Sequence, residues 1–180
     1  MEQKTKFFTA KRLAILGVLT ALAFGVSLIS IPIFPFLPFL KLDFSFAIML
    51  LTAYVLGPTS AVVIIVVVNF LRMFIPDFDP VGALANTITA SAFVILPSVI
   101  YKFKKGLPSV IISISLCSVL QIGLALLANR YVLFPFYGVG DSVFTSNVWF
   151  IALFNLIKCV SNGTVTILLY KRLKNLLGKI

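Results

Sequence analysis

The sequence predicts an all-α integral membrane protein, and three observations support that fold class. Apolar residues make up 61% of the 180 residues and charged residues only 11%, whereas about a quarter of the residues in a soluble domain are charged. The mean hydropathy is +1.14. Apolar runs about as long as a bilayer-spanning helix recur along the chain. These observations exclude an ordinary soluble domain and indicate one membrane domain over residues 1–180.

Six apolar segments are expected to form transmembrane helices, with proline, glycine or charged residues at their boundaries. Three prolines exclude regular helix from the first connection, 31–40. The second segment is short for a full span, and Gly57-Pro58 forces a tight turn into the third. Pro97 predicts a kink inside the fourth. The predicted segments are 12–30, 45–56, 59–75, 81–101, 107–128 and 147–170.

Basic residues predict how the chain is oriented in the lipid bilayer. Eleven of the 15 basic residues lie in the N-terminal tail, the connection between the fourth and fifth segments, and the C-terminal tail. With six helices these clusters share one side, so the positive-inside rule places both termini in the cytoplasm. The clusters are Lys4, Lys6, Lys11 and Arg12; Lys102, Lys104 and Lys105; and Lys171, Arg172, Lys174 and Lys179.

The net charge of +10 would indicate nucleic acid as a partner if the chain were soluble. Here the basic residues lie at the ends of apolar runs, where they orient the protein in the membrane. We therefore expect no nucleic-acid partner.

Lys158 is a charged residue near the middle of the last predicted helix. A charge at that depth costs about 2.5–3.5 kcal/mol on insertion scales and usually has a function inside the protein. Asn155 and Asn162 share its helix face, and Asn86 and Asn129 lie toward the outer half of neighbouring helices. Amides donate and accept hydrogen bonds and the ammonium donates, so the pattern is typical of a pocket for a polar solute.

Two alternatives remain open for these polar residues. A single asparagine in a span serves equally well to hold two helices together, and Lys158 could contact backbone carbonyls or extend toward the interface. No Asp or Glu lies within a predicted span to neutralise Lys158. We therefore expect the oxygen atoms of a ligand to do so.

Residues for catalysis are scarce. There is no histidine, and the two cysteines, Cys117 and Cys159, lack metal-ligand spacing, so we expect no metal and no cofactor. A membrane protease would need a Ser/His or paired-Asp arrangement, and ATP hydrolysis would need a glycine-rich phosphate loop. The chain is predicted not to be an enzyme. A membrane enzyme or scaffold acting on lipids through Lys158 and the amides is the alternative from a different class.

The first helix carries a stripe of small residues that includes Ala14, Gly17 and Ala21. Small residues at this spacing allow another helix to approach closely. From the spacing alone, packing within the bundle and docking of a partner are equally compatible with the stripe.

Five stretches resemble one protein family and keep its order over nearly the whole chain. They are FLPFLKLDFS (36–45), LGP (56–58), DPVGALAN (79–86), NRYVLFPFYG (129–138) and NLIK (155–158). They are similar to the substrate-binding S-components of energy-coupling factor (ECF) vitamin transporters, and most closely to the riboflavin-specific members.

This resemblance implies a six-helix protein in a prokaryotic cell membrane that binds a vitamin from outside. It also implies partners: a transmembrane coupling protein and two cytoplasmic ATPases, which would hydrolyse the ATP. In the family the first helix makes the contact, so the resemblance favours Ala14, Gly17 and Ala21 as a docking face.

The resemblance also implies which residues bind the ligand. Amides and a lysine of the last two helices correspond to Asn129, Asn155 and Lys158. The first outer connection would close the pocket. Its predicted lid and wall residues are Leu40, Lys41, Asp43 and Phe44.

Three departures from the riboflavin members leave the vitamin open. Phe46 and Ile48 stand where those members usually have an acid and a proline, and Val68 stands where a lysine is common. A pocket that lacks the acid but keeps Lys158 favours a carboxylate ligand such as pantothenate, or another small vitamin. The aromatic residues of the outer connections favour the flat ring of riboflavin; they are Phe36, Phe39, Phe44, Tyr131 and Phe134. Riboflavin is the primary prediction.

Overall fold

The computed structural model describes residues 9–75 and 80–177, with side chains up to residue 172. The described chain is helical apart from turns and one two-stranded hairpin, in which β1 (Ile31–Pro32) pairs antiparallel with β2 (Lys41–Leu42). The helices are α1 (Ala10–Leu28), α2 (Ser45–Leu56), α3 (Pro58–Arg72), α4 (Pro80–Ala90), α5 (Leu96–Phe103), α6 (Leu107–Ala128), α7 (Phe134–Phe136) and α8 (Asp141–Leu177).

Two π-helical segments join some of these helices into longer rods. Segment π1 (Ser91–Ile95) connects α4 to α5, and π2 (Asn129–Leu133) connects α6 to α7. Four stretches are long and apolar enough to cross a membrane: Ala10–Leu28, Pro80–Phe103, Leu107–Phe136 and Asp141–Arg172. Helices α2 and α3 are apolar but shorter, and the bounds of α2 coincide with the predicted second segment. The protein is therefore an all-helical membrane protein.

Each π segment lies just before a proline that the helix tolerates. A proline ring clashes with the carbonyl four residues earlier. For Pro97 that carbonyl belongs to Phe93 in π1, and for Pro135 it belongs to Tyr131 in π2. The wider π turn changes the local carbonyl spacing and lets the rod continue past the ring. The irregularity expected at Pro97 takes this form.

The sequence predicts a long outer connection between the fifth segment (107–128) and the sixth (147–170), with residues 130–146 outside helix. This prediction is wrong. The rod that begins at Leu107 continues to Phe136, and α8 begins at Asp141, so only 137–140 lie outside helix. Gly138 has φ +65°, in the region that favours glycine, and makes this connection short. The sequence suggested an end at Asn129 because polar residues and a proline follow it, but π2 accommodates Pro135.

Two apolar clusters divide the bundle into two halves. The larger cluster packs α1, α2, α3, π1, α6 and α8 together, with Phe46, Ile64 and Phe93 at its centre. The smaller cluster lies under the hairpin and includes Leu40 and Ile151. The hairpin therefore covers the end of the bundle that contains the smaller cluster.

Basic side chains gather at the far end of the larger cluster. Arg12, Lys102 and Lys105 surround one recess there, beside the rings of Tyr54 and Tyr101. We call this the basic end. Of the predicted basic clusters, Lys4, Lys6 and Lys179 lie outside the described residues, as does the acidic connection 76–79. The described members of two separate clusters thus meet at one end of the bundle.

The small-residue stripe of α1 faces away from the bundle. Ala14, Gly17 and Ala21 are all exposed, whereas Leu16 and Ala23 on the opposite face are buried. A Cβ atom added to Gly17 would meet no atom within 4 Å. Packing within the bundle therefore does not account for the stripe.

Candidate ligand-binding site

A cavity of about 330 Å³ lies at the hairpin end of the bundle, opposite the basic end. We call this the cavity end. The hairpin region forms the roof, and α3, α4, α6, π2 and α8 form the walls. The lining residues are Pro38, Phe39, Leu40, Lys41, Asp43, Arg72, Gly82, Ala85, Asn86, Thr89, Ala125, Ala128, Asn129, Leu133, Phe154, Asn155 and Lys158.

Lys158 is held at the cavity by neighbours from two other helices. It is only 6% exposed, and its Nζ donates a 2.9 Å hydrogen bond to Oδ1 of Asn86. The same Nζ lies 4.1 Å from the ring centroid of Phe46, a cation–π distance. Asn86 in turn donates to Oδ1 of Asn69 at 2.7 Å, and Asn69 donates to the carbonyl of Ile65. This chain of amides fixes the oxygen that Lys158 contacts.

Asp43 overturns the expectation that Lys158 has no carboxylate near it. Asp43 is 1% exposed and pairs with Nη1 of Arg72 at 3.3 Å. The backbone N–H of Ser45 donates to Asp43 at 2.9 Å, and the Ser45 hydroxyl donates to the same oxygen. Burial alone would raise the pKa of Asp43, but Lys158, Arg72 and these hydrogen bonds together hold that pKa below its ordinary value.

The chain before α2 turns into the bundle, which explains why counting carboxylates within the spans missed Asp43. Asn162 fixes this turn from α8: its Nδ2 donates to the Asp43 carbonyl, and its Oδ1 accepts from the Ala47 N–H, both at 2.9 Å. Asn162 is fully buried and lies outside the cavity lining. Although it shares a helix face with Lys158, its role is to hold the start of α2.

Asn155 and Asn129 present amide groups to the cavity from α8 and the end of α6. Asn155 accepts a 2.9 Å hydrogen bond from Gln121 and donates to the carbonyl of Ile151. Asn129 donates to the carbonyl of Ala125 at 2.8 Å. Among the described residues, Oδ1 of Asn129 is the buried side-chain polar atom without a hydrogen-bond partner. A buried acceptor without a donor is costly, so this oxygen is available to a donor on a ligand.

The structure brings seven of the eight predicted binding residues to one cavity. The lining contains Leu40, Lys41, Asp43, Asn86, Asn129, Asn155 and Lys158. Phe44 is the exception: it is 39% exposed and does not line the cavity. It lies just before α2, where the backbone turns Asp43 inward.

Several lining residues were missed from the sequence. From the sequence, Arg72 at the end of the third predicted segment is interpreted as a charge of the outer side, whereas in the structure it pairs with Asp43 in the cavity wall. Thr89 lies three residues after Asn86 and so shares its helix face, a spacing that could have revealed it. Gln121 does not line the cavity but orients Asn155 from a neighbouring helix, and no local pattern signals that contact.

An apolar recess of about 380 Å³ adjoins the cavity and shares three lining residues with it, Phe39, Gly82 and Leu133. We call it the apolar annex. Its remaining lining residues are Leu37, Phe134, Tyr137, Val139 and Val143. The combined site can hold a ligand that has both a polar part and a flat apolar part. Within the described residues, no group of three His, Cys, Asp or Glu side chains could hold a metal ion.

Comparison with known proteins gives one family. Residues 11–170 match the family of ECF transporter substrate-specific components. The chain is 34% identical over 178 residues to the riboflavin transporter RibU of Staphylococcus aureus (strain TCH60), covering 94% of each chain. It is 27% identical over 176 residues to the riboflavin transporter FmnP of Bacillus subtilis (strain 168), covering 91% of this chain and 92% of that one.

A solved structure has the same fold. It is described as the structure and mechanism of the S component of a bacterial ECF transporter, and it matches with a TM-score of 0.82 and 33% sequence identity. The match covers 93% of this chain and 98% of the other.

Proposed function

The chain belongs to the family of ECF transporter substrate-specific components, and we propose that it binds riboflavin at the cavity end as the substrate-binding subunit of an ECF importer. The resemblance predicted from the five sequence stretches is confirmed. The unpartnered buried oxygen of Asn129 carries the proposal, since Asn129 lines the same cavity as Lys158 and Asn155.

Riboflavin matches the two parts of this site. Its flavin ring has one edge rich in carbonyl and N–H groups and one apolar edge, and its side chain carries hydroxyls. The polar groups of riboflavin would form hydrogen bonds with the amides and with Lys158. A hydrogen bond to the charged Lys158 would contribute about 1.5–3 kcal/mol. The apolar edge would occupy the apolar annex, where Phe39 and Phe134 offer aromatic contacts.

Asp43 weakens the case for a carboxylate ligand. Pantothenate is the alternative because Phe46 stands where riboflavin members usually have an acid, but the buried carboxylate of Asp43 places an acid near Lys158. Binding of pantothenate or another small vitamin in place of riboflavin is therefore the alternative result of the binding test.

Six membrane spans with both termini in the cytoplasm are part of the proposal. Four helices are long enough to cross. The shorter α2 is buried along most of its length, so neighbouring helices shield it from lipid. The basic end would face the cytoplasm by the positive-inside rule, and the cavity end would then face outward, where a vitamin arrives.

Copurification tests the ligand. The protein is expressed in cells that make riboflavin, purified in neutral detergent, and denatured to release any bound small molecule. We expect a flavin absorbance spectrum in the released fraction. If no flavin copurifies and none binds at about micromolar concentration, the riboflavin assignment fails. Binding of pantothenate instead would support the alternative that the protein is a substrate-binding subunit for pantothenate.

The partners are proposed to be a transmembrane coupling protein and two cytoplasmic ATPases that hydrolyse the ATP. The exposed stripe of Ala14, Gly17 and Ala21 would contact the coupling protein, because small residues allow close helix approach. Copurification with these three partners would separate a transport subunit from a membrane enzyme or scaffold acting on lipids.

Gly17→Leu tests the docking face. We expect unchanged riboflavin binding and impaired vitamin uptake, because the leucine blocks close approach of another helix. Gly123→Leu is the matched control, since Gly123 is an exposed helical glycine on α6 and its added Cβ also meets nothing within 4 Å. If Gly17→Leu takes up the vitamin as well as the wild type does, the small-residue stripe is not the docking face.

A further inference from the structure

A positively charged recess of about 380 Å³ lies at the basic end, on the opposite side of the protein from the cavity. Arg12 comes from α1, Lys102 from α5, and Lys105 from the turn after α5, and all three line the recess. The Gly57-Pro58 turn contributes another part of the wall. The fold therefore brings together cations from segments that are distant in sequence.

Three hydroxyl groups that line this recess, those of Tyr54, Tyr101 and Ser98, are bonded within the protein. Tyr101 and Tyr170 share a 2.8 Å hydrogen bond between their hydroxyls, and Tyr54 shares one of 3.2 Å with Ser113. The rings of Tyr54 and Tyr101 lie 4.9 Å apart and form a packed wall. Ser98, which also lines the recess, donates to the carbonyl of Ile95. The basic side chains, together with the hydroxyl of Thr59, are thus the polar groups best placed to contact a ligand.

No carboxylate lines the recess in the part of the chain that the structure describes. The two described ion pairs, Asp43 with Arg72 and Asp141 with Arg130, both belong to the other end of the bundle. Cations that converge on a partly enclosed space repel one another, and a bound anion removes that repulsion. Helix α3 begins at this recess, and its N-terminus adds positive potential.

We infer that this recess binds the phosphate headgroup of an anionic phospholipid from the cytoplasmic leaflet, an inference that rests on the proposed orientation of the chain. Basic and tyrosine side chains at the ends of apolar helices lie at the level of lipid headgroups. Basic pockets between transmembrane helices on the cytoplasmic side bind anionic headgroups, and anionic lipids concentrate in that leaflet. Arg12 lies two residues before Ala14, so the bound lipid would border the proposed docking face.

Lipid retention by the purified protein tests this site. The protein is exchanged into neutral detergent with equal amounts of phosphatidylglycerol and phosphatidylcholine, and the lipids that remain bound are identified by native mass spectrometry. We expect phosphatidylglycerol to be retained over phosphatidylcholine. Arg12→Gln or Lys105→Gln should each lower that preference about fivefold, the scale of one basic residue near a membrane surface.

Lys104→Gln is the matched control. Lys104 is an exposed neighbour of Lys105 on the same turn, but it does not line the recess. We expect it to keep the wild-type preference, which separates a built site from general surface charge. Helical circular dichroism and a single elution peak confirm that each variant is folded, and neither readout depends on riboflavin.

Four outcomes would overturn the inference, three of them in the lipid measurement itself. These three are equal retention of the two lipids by the wild type, an equal loss in Lys104→Gln and Lys105→Gln, and displacement of phosphatidylglycerol by millimolar inorganic phosphate, which would indicate a site for a soluble anion. If phosphatidylglycerol retention is unaffected and Arg12→Gln instead loses the coupling protein, the recess belongs to a protein interface and the lipid site is wrong. Riboflavin binding is measured separately on the same samples, so a failure of one proposal is distinguishable from a failure of the other.

Discussion

The cavity end and the half of the bundle that contains the larger apolar cluster, which we call the basic half, are built by the same long helices but are filled differently. In the basic half, Phe46, Ile64 and Phe93 pack with almost no exposure. At the cavity end, buried amides and charges surround a space that the protein leaves open. Buried polar groups are costly unless they are hydrogen-bonded. The contrast between a closely packed half and an open, polar end supports the proposal that the cavity end binds a ligand.

Helix α8 shows this contrast along a single element. Asn155, near the hairpin, bonds to Gln121 and still faces the cavity. Asn162, two turns further along, is satisfied by backbone groups of Asp43 and Ala47. One asparagine lines the cavity and the other holds two parts of the chain together, although the residue type is the same. The following substitutions test this difference between the two halves.

Asp43→Asn is expected to have the largest effect, and the effect is on stability. The substitution leaves Arg72 and Lys158 buried without the carboxylate that faces both of them. Breaking a buried ion pair from one side costs about 3–5 kcal/mol. The melting temperature in detergent should fall sharply, measured by circular dichroism or by a thiol-reactive dye at the buried cysteines. A variant as stable as the wild type would show that the pair is not needed.

The pH dependence of stability provides a check on Asp43. The pKa of this carboxyl group is lower in the folded protein than its ordinary value, so the unfolded chain binds the proton more readily. The stabilisation is therefore present above the ordinary carboxyl pKa and is lost as the pH falls through the folded value. Acid melts should show this loss in the wild type, and the loss should be smaller in Asp43→Asn.

Lys158→Met should have the next largest effect, on ligand affinity. The charged hydrogen bond proposed between Lys158 and the ligand would contribute about 1.5–3 kcal/mol, or roughly ten- to a hundredfold in Kd. The fold should be retained, because methionine fills a similar volume and Asp43 keeps Arg72. Riboflavin titration monitored by fluorescence measures the change. Lys104→Met at the basic end is the control and should bind as the wild type does; equal affinities in all three proteins would return Lys158 to a structural role.

Gly163→Ala tests the close packing of the basic half. A Cβ atom at this position would lie 2.9 Å from Cγ2 of Ile114 on α6, too close without a shift. Overpacking of a close-packed core costs about 1–3 kcal/mol, and thermal melts should show it. Gly17→Ala is the matched control, since its Cβ meets no atom within 4 Å and alanine favours helix by about 1 kcal/mol. Equal melting temperatures for the two variants would contradict the packing difference.

Asn129→Leu should have the smallest effect. It removes the unpartnered oxygen proposed to accept a hydrogen bond from the ligand, and a neutral hydrogen bond contributes about 0.5–1.5 kcal/mol. The Kd for riboflavin should rise about two- to tenfold. Asn147→Leu is the control, because Asn147 makes the same bond to the carbonyl four residues earlier but does not line the cavity. An equal change in both variants would show that the oxygen has no specific role.

The sequence was sufficient for most of the fold because apolar length and proline position are local signals. The bounds of α2 follow from Ser45 and the Gly57-Pro58 turn. The continuation of the rod to Phe136 could not be predicted, because Pro135 normally ends a helix and the tolerance depends on a π turn formed before it.

The candidate site was predictable where polar residues interrupt apolar helices. Asn86, Asn155 and Lys158 are visible in this way, and they line one cavity. The position of Asp43 beside Arg72 and Lys158 could not be predicted, because Asp43 lies in a connection and its placement depends on Asn162, which lies 119 residues away. Contacts between distant segments of this kind are set by the tertiary fold and leave no local pattern.

Equilibrium titration of ligand-free protein with riboflavin tests most directly whether the cavity end binds the vitamin. The wild type and Arg12→Gln should bind one riboflavin per chain with the same Kd, at about micromolar concentration or tighter. Lys158→Met should bind at least about tenfold more weakly. The absence of binding at that concentration, or a loss of affinity in Arg12→Gln that Lys158→Met does not share, would contradict the account.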